Sequence, residues 1–450
     1  MTTADAAPEV WPEPSGAGSY PSTTLRMTPA KALSIVWVLA LSACSVPMQE
    51  HVQSYAYVNG NWFDGERFVP RVAYVSDGVF VAEAPAQITS VVDLNGGYVI
   101  PPFAEAHNHN LDTDYGLEER IRQYLNDGVF YAKMQSSIKR RIEPNRHLFN
   151  HPRTIDVAFA HAPLTATGGH PIALRERFFE MGRFDGLFGS KAAIEGEGYV
   201  IIDSLQDLDE KWAGVLALEP DFIKVNLIHS EEFALRREDP TYFGDKGLNP
   251  ALLSAIVERA HETGLRVSAH VDTPADFHAA VVAGVDEINH LPSRDAETME
   301  RIREEDARSA AEQGIVVVTT VSLVTRRVDP ADERLDAVWA TVSDNLDLLN
   351  RHGVPLAVGS DMFNDTSLDE AVHLRRLDVL SNLDLLQMWT ETSAQTIFPK
   401  RNIGRLEVGF EASFLVLRGD PIEDFDAVTD IAMRVKQGID LADVLDVNAE

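Results

Sequence analysis

Two histidines one residue apart close a hydrophobic run. The segment GGYVIPPFAEAHNHN spans Gly96 to Asn110 and ends around His107 and His109. Side chains alternate faces along a strand, so these imidazoles point the same way. Two neutral imidazoles side by side are half of a divalent-metal site, although His-x-His also occurs on ordinary surfaces, and this chain has 14 histidines. Other apolar runs end in groups of the same chemical type. In DFIKVNLI, alternation sets Ile223, Val225 and Leu227 on one face and Lys224 on the other, with Phe222 and Asn226. An ammonium facing a low-dielectric interior must find a partner or lose its charge. LRVSAHV delivers His270, GVDEINH ends in His290, and VPLAVGSD ends in Asp361 above the small Ala357 and Gly359. Each has an ordinary alternative: a hydrogen-bonded core histidine, a helix N-cap for Asp361, an ion-paired Lys224. Five strand ends that all carry inward groups of ligand type predict a metal site.

Something must hold those ends together. After Tyr98, apolar runs such as VFYAKM, TIDVAFA and IVVVTTV alternate with helical segments such as ALLSAIVERAHETG. This is the pattern of βαβ units and a parallel sheet. The fold class expected is α/β: a (β/α)₈ TIM-type barrel over residues 98–402, with functional groups at the C-terminal ends of its strands. Before it, short β-like runs carry the hairpin dipeptides Asn59-Gly60 and Asp77-Gly78. A β-like texture resumes near Ile403. Residues 53–97 and 403–450 are therefore expected to form one small β-sandwich domain from both chain ends.

The chain has 450 residues, a formal net charge of −31 and one cysteine. Such acidity opposes nucleic-acid binding, which relies on Lys and Arg patches. Residues 1–26 are rich in Pro, Ser, Thr and Gly and are expected to be disordered or a misannotated extension, Met27 being a natural start. Lys31, the apolar run from Ala32 to Ala43 and Cys44 then describe a secretory signal over 27–44. Its LSAC ending resembles the bacterial lipoprotein signal, in which the cysteine is lipidated. The localisation expected is the bacterial cell envelope, or the cytoplasm if that reading fails.

With these residues in place, roughly Tyr55 to Gly438 resembles the amidohydrolase superfamily, in the branch of imidazolonepropionases and Xaa-Pro-type metallodipeptidases. The family's first strand ends in His-x-His, matched by His107 and His109. Its fourth supplies a carboxylated lysine, matched by Lys224. The fifth and sixth give histidines, matched by His270 and His290, and the eighth an aspartate, matched by Asp361. PLTATGGHP is similar to the branch's Thr-Gly-Gly-His segment and puts His170 near substrate. The departures are Pro101-Pro102 for Pro-Gly, Glu105 for aspartate, and Ala412-Ser413-Phe414 for Ala-Asp-Leu; residues 187–211 have no counterpart. The resemblance implies two divalent ions, zinc by default for such ligands, sharing the carbamate of Lys224. His107, His109 and Asp361 would hold one, His270 and His290 the other. A shared hydroxide, from water acidified to a pKa of about 7, would attack an amide-type carbonyl with Asp361 as general base.

The substrate implied is a small amide or dipeptide. Arg326 and Arg327 follow the seventh expected strand and are candidates to grip a substrate carboxylate; a solvated pair balancing nearby acids is the alternative. Three other functions stay open. A metallodipeptidase of the Xaa-Pro or Xaa-Arg type suits TATGGHP, and a mononuclear deaminase or cyclic-amide hydrolase would lack Lys224. A non-catalytic lipoprotein binding module would not need Asp361. Replacing Cys44 by Ala is expected to release the protein from the membrane fraction. Undiminished membrane binding, or a mass spectrum showing Cys44 unmodified, would instead indicate a cytoplasmic enzyme.

Overall fold

Alternating apolar and polar residues make an antiparallel ladder at the start of the described chain. β1 (Ser54–Phe63) pairs with β2 (Phe68–Ser76), and β2 turns into β3 (Val79–Val81). Asp77 and Gly78 form that turn with φ of 52° and 72°, the two left-handed positions a type I′ hairpin needs. Asn59-Gly60 does not make a turn as expected. It lies inside β1, where Asn59 has φ of 55° and the register with β2 shifts between Tyr57 and Gly60, a β-bulge. The chain reverses at residues 64–67, where Asp64 Oδ1 accepts from the amides of Glu66 and Arg67 at 3.0 Å. A side-chain acceptor that closes its own turn outcompeted the Asn-Gly signal. β4 (Ser90–Asp93) and β5 (Tyr98–Ile100) add to β1 in parallel.

The computed structural model describes residues 53–113, 115–292 and 299–445. The expected extension, the signal and Cys44 lie outside the described residues, and no described helix is long and apolar enough to cross a membrane.

The central apolar runs form parallel strands, buried on both faces as such strands must be. β6 (Phe103–Asn108), β7 (Val129–Met134) and β8 (Asp156–Phe159) form one sheet. β9 (Leu164–Thr165), β10 (Val200–Ile201), β11 (Ile223–Asn226), β12 (Val267–His270), β13 (Glu287–Asn289), β14 (Val316–Val318) and β15 (Leu356–Ala357) form another, in the order β10-β9-β11-β12-β13-β14-β15. Backbone bonds join the two sheets at both edges. Ala106 donates to Val358 at 2.9 Å and Asp361 to His107 at 2.8 Å on one side; Asp221 donates to Phe159 at 2.9 Å on the other. One face of the strands, with Val225, Ala269, Ile288, Val317 and Leu356, joins the main core. The opposite face carries Lys224, Ser268, Glu287 and Asn289 beside a small apolar cluster of Ala106, Val316, Val318 and Ala357.

Both chain ends meet in one sheet. β16 (Phe414–Leu417), β17 (Ile431–Lys436) and β18 (Ile439–Asp440) extend the first ladder, giving eight strands in which β16 pairs with β5. That sheet therefore runs three residues past the expected boundary at 97. Fully buried Lys436 donates to Asp156 Oδ1 at 2.6 Å and so ties the terminal sheet to β8. The segment without counterpart contributes Phe188, Ile194 and Tyr199 to a satellite core shared with Ile138, Ile172 and Phe184.

An ion pair sits inside the parallel strands. Lys133 Nζ donates to Glu287 Oε2 at 2.7 Å, and Thr396 and Ser268 donate to the same carboxylate, each at 2.8 Å. Burial alone would raise the Glu287 carboxyl, but the charge and hydrogen bond of Lys133 hold it down to about 2. A carboxyl lowered in the folded state gives stability that is complete above its unfolded value of about 4.3. That stability is lost as pH falls through about 2. Lys133→Met, which leaves Glu287 buried and unpaired, is expected to cost about 3–5 kcal/mol at neutral pH, read as a lower urea midpoint. The cost should shrink already as pH falls from neutral toward about 4.3, because without Lys133 burial raises the Glu287 carboxyl and its protonation relieves the unpaired charge.

Candidate active site

His107, His109, His270, His290 and Asp361 come together at the C-terminal ends of the parallel strands. β6 presents His107, and His109 follows directly after its end; their ring centroids are 5.4 Å apart. Asp361, just beyond β15, stands with Oδ1 3.6 Å from Nε2 of His107 and 3.4 Å from Nε2 of His109. Among the described residues these three form a group whose ligand atoms all lie within 4.8 Å of one another. Gly359 makes the approach possible: a Cβ there would lie 2.7 Å from the backbone nitrogen and Cβ of His107.

A second pair adjoins the first. Nδ1 of His270 faces Nε2 of His290 at 2.9 Å, and the His290 ring lies 4.6 Å from that of His107. The outer nitrogens are engaged, Nε2 of His270 with Asp272 Oδ1 at 3.2 Å and Nδ1 of His290 with Thr320 Oγ1 at 2.7 Å. Lys224 is 4% exposed, and its charge is among the influences that lower both His107 and His109. The ring of His170 stacks on His270, with centroids 5.2 Å apart and planes 23° apart.

Tautomers follow from these partners. Nδ1 of His107 meets Oδ1 of Asn289 at 2.6 Å, while Nδ2 of Asn289 donates to Ser268 Oγ at 2.5 Å. The amide oxygen can only accept, so the proton sits on Nδ1 and the Nε2 lone pair faces Asp361. Burial, then neighbouring cations, push His107 well below the ordinary histidine range and His109 down to about 3. Both shifts favour the neutral ring, the state a metal ligand requires. Burial likewise pushes the Glu105 carboxyl up to about 8, although Ser360, Asn108 and the His107 amide all donate to it. Glu105 braces the β6 and β15 ends against each other.

Arg326 and Arg327 lie beyond β14. They end a short helix, Val324–Arg327, both exposed, and Arg326 pairs with Asp365 at 3.2 Å. The arginine beside the imidazoles is one that spacing did not single out. Buried Arg175 donates from Nη2 to Ser136 Oγ at 2.7 Å, and that oxygen lies 3.1 Å from Nδ1 of His109. Asp112 lies in the same electrostatic neighbourhood, pushed up to about 6 by burial against the pull of Arg175 and Arg141. Asn289, Asp272, Ser136 and Thr320 were missed as well. Asn289 had a signal, since alternation in DEINH sets it inward with Glu287, whereas Ser136 and Arg175 had none in their own segments.

Known proteins share this architecture. Ochratoxinase from Aspergillus niger is 25% identical over 204 residues, which cover 45% of this chain and 42% of that protein. The chain thus matches less than half the length of this curated relative. The crystal structure of A. niger ochratoxinase superposes with a TM-score of 0.67 at 18% identity, covering 86% of this chain and 95% of that one. A prolidase complexed with N-methylphosphonate-L-proline gives 0.65 at 18% identity, over 86% and 99% of the two chains. Phenylurea hydrolase B gives 0.64 at 16% identity, over 87% and 97%. These likenesses establish the shared fold. The Amidohydrolase family profile matches residues 212–438, just over half of the sequence, from within the helix before β11 to the loop after β17. The chain belongs to the amidohydrolase family.

Proposed function

We propose that this protein is a metal-dependent hydrolase that cuts a C–N bond of a small amide or dipeptide. The observation that carries the reading is the convergence of His107, His109, Asp361, His270 and His290 on one mouth, with buried Lys224 acting on the charge of His107 and His109. The same reading takes the eight parallel strands β6, β7, β8 and β11 to β15 as a (β/α)₈ barrel over 98–402. It takes residues 53–97 and 403–450 as a small β-sandwich domain, and Cys44 as a lipid anchor at the bacterial envelope.

The donor set fits two divalent ions, zinc by preference. His107, His109 and Asp361 would hold one, and His270 with His290 the other, since Nδ1 and Nε2 of that pair already face one another. An ammonium on Lys224 opposes any cation bound beside it. Reaction of its neutral amine with CO₂, releasing one proton, gives a carbamate and replaces that positive charge by a negative one suited to both ions. The bound ions would supply Lewis acidity to the scissile carbonyl and acidify the attacking water. Asp361, placed against both imidazoles of the first group, would accept a proton from an attacking water and return it to the leaving nitrogen. His170, stacked on His270, lines the approach on the other side. The prolidase and ochratoxinase likenesses support an amide-type substrate, and the Xaa-Pro-type dipeptidase branch is the form this reading favours.

Metal analysis of protein prepared without chelator should approach two ions per chain. A firm value of one, unchanged by bicarbonate during expression, would favour the mononuclear deaminase-like alternative. Lys224→Ala should abolish turnover of N-acyl amino acids and dipeptides and lower metal content, with partial rescue by short carboxylic acids. Wild-type turnover in that variant would make Lys224 a tolerated interior lysine. Asn289→Leu, which removes the acceptor that sets the His107 tautomer, should weaken zinc retention by about 10–100-fold in competition with a chromogenic chelator. Unchanged retention would remove Asn289 from the site.

A further inference from the structure

Arg175 is a cation in an unusual place. It is 4% exposed, its Nη2 donates to a neutral hydroxyl, and its Nε has no hydrogen-bond partner among the described residues. Asp112 acts on it through space but is shared with Arg141. A buried guanidinium with an unsatisfied N–H is costly, and a solvated surface position would avoid that cost. This one is instead locked in place. Its helix, Ile172–Glu180, begins directly after His170-Pro171, and Ile172 anchors that helix in the satellite core. The same short stretch therefore sets His170 against His270 and Arg175 beside Ser136, one hydroxyl away from His109. Ser136 Oγ, and with it Arg175, lies on the Nδ1 side of His109, whose Nε2 faces Asp361.

We propose that Arg175 receives a carboxylate of the substrate, so that the site selects amides whose acyl-linked amine carries a free acid group. This rests on the amidohydrolase reading and narrows it to N-acyl amino acids and dipeptides over neutral amides. The anion supplies what the fold leaves out: an acceptor for the buried N–H and a counter-charge for the cation. Arg326, exposed and paired with Asp365, does not share the role.

The test uses the zinc-loaded full chain and hydrolysis-resistant N-methylsulfonyl amino acids, each titrated calorimetrically as the free acid and as the carboxamide. The wild type should bind the acids about 10–100-fold more tightly than the carboxamides. Arg175→Met should abolish that preference, Arg175→Lys should retain part of it, and Arg326→Met all of it. Equal binding of acid and carboxamide by the wild type, or no binding of either, overturns the proposal whether or not the variants fold. So does an Arg175→Met or Arg175→Lys protein that keeps the whole preference. A role limited to holding Ser136 and His109 would weaken acid and carboxamide alike, and that result also overturns it. Turnover of neutral amides without acid preference would leave the hydrolase reading intact and sink this inference. An Arg175-dependent acid preference with no turnover of any amide would do the reverse.

Discussion

The 2.6 Å hydrogen bond between Nδ1 of His107 and Oδ1 of Asn289 couples the site to the interior of the strands. Asn289 is oriented by Ser268, Ser268 donates to Glu287, and Glu287 is held by Lys133. Three strands, β7, β12 and β13, thus contribute to the orientation of one imidazole on a fourth. Each link satisfies a buried polar group that would otherwise cost free energy, so the chain of bonds is stable only when complete. The arrangement explains why a charged pair is kept in an interior where apolar residues would pack as well: it specifies a direction as well as filling space.

Charge is distributed around the imidazoles to the same end. Burial first, then Arg175 and Lys224 on His109 and Lys224 on His107, favour neutral rings that keep a lone pair to offer. Asp361, Asp272 and Asp112 lie on the opposite side of the balance. The backbone contributes too. His290, Thr320 and Asp361, each just past a strand end, have φ of 79°, 54° and 52°. Left-handed conformations of non-glycine residues cost of order 1–3 kcal/mol each, and they persist because neighbouring bonds hold them. At each of these ends the left-handed turn takes the chain out of strand geometry where its side chain enters the site.

Much of the architecture was legible in the pattern of residues. Apolar runs alternating with amphipathic helical stretches become parallel strands and helices, and the texture at both ends becomes one shared sheet. The ligand-type residues at the strand ends meet at one mouth because a parallel sheet sends all its C-terminal ends to the same side. Failures came where a local signal competed with a tertiary one. Asn59-Gly60 was absorbed as a bulge because Asp64 closed a better turn. Arg326 and Arg327 stand in the right order along the chain yet remain exposed, because the short helix that carries them points them to solvent and to Asp365.

By itself the sequence determined which groups of ligand type exist and at which strand ends they fall, since strand alternation and βαβ order are local properties of the chain. It also determined the family, through six residues at characteristic positions. Tertiary structure alone decided which nitrogen of each imidazole faces inward, which arginine stands beside them, and how the neighbouring carboxyls are charged. Those properties depend on partners far away in the chain: Asn289 lies 182 residues from His107, and Ser136 lies 39 from Arg175. Proton position and buried charge respond to distances of a few ångströms, and only the folded chain sets those distances.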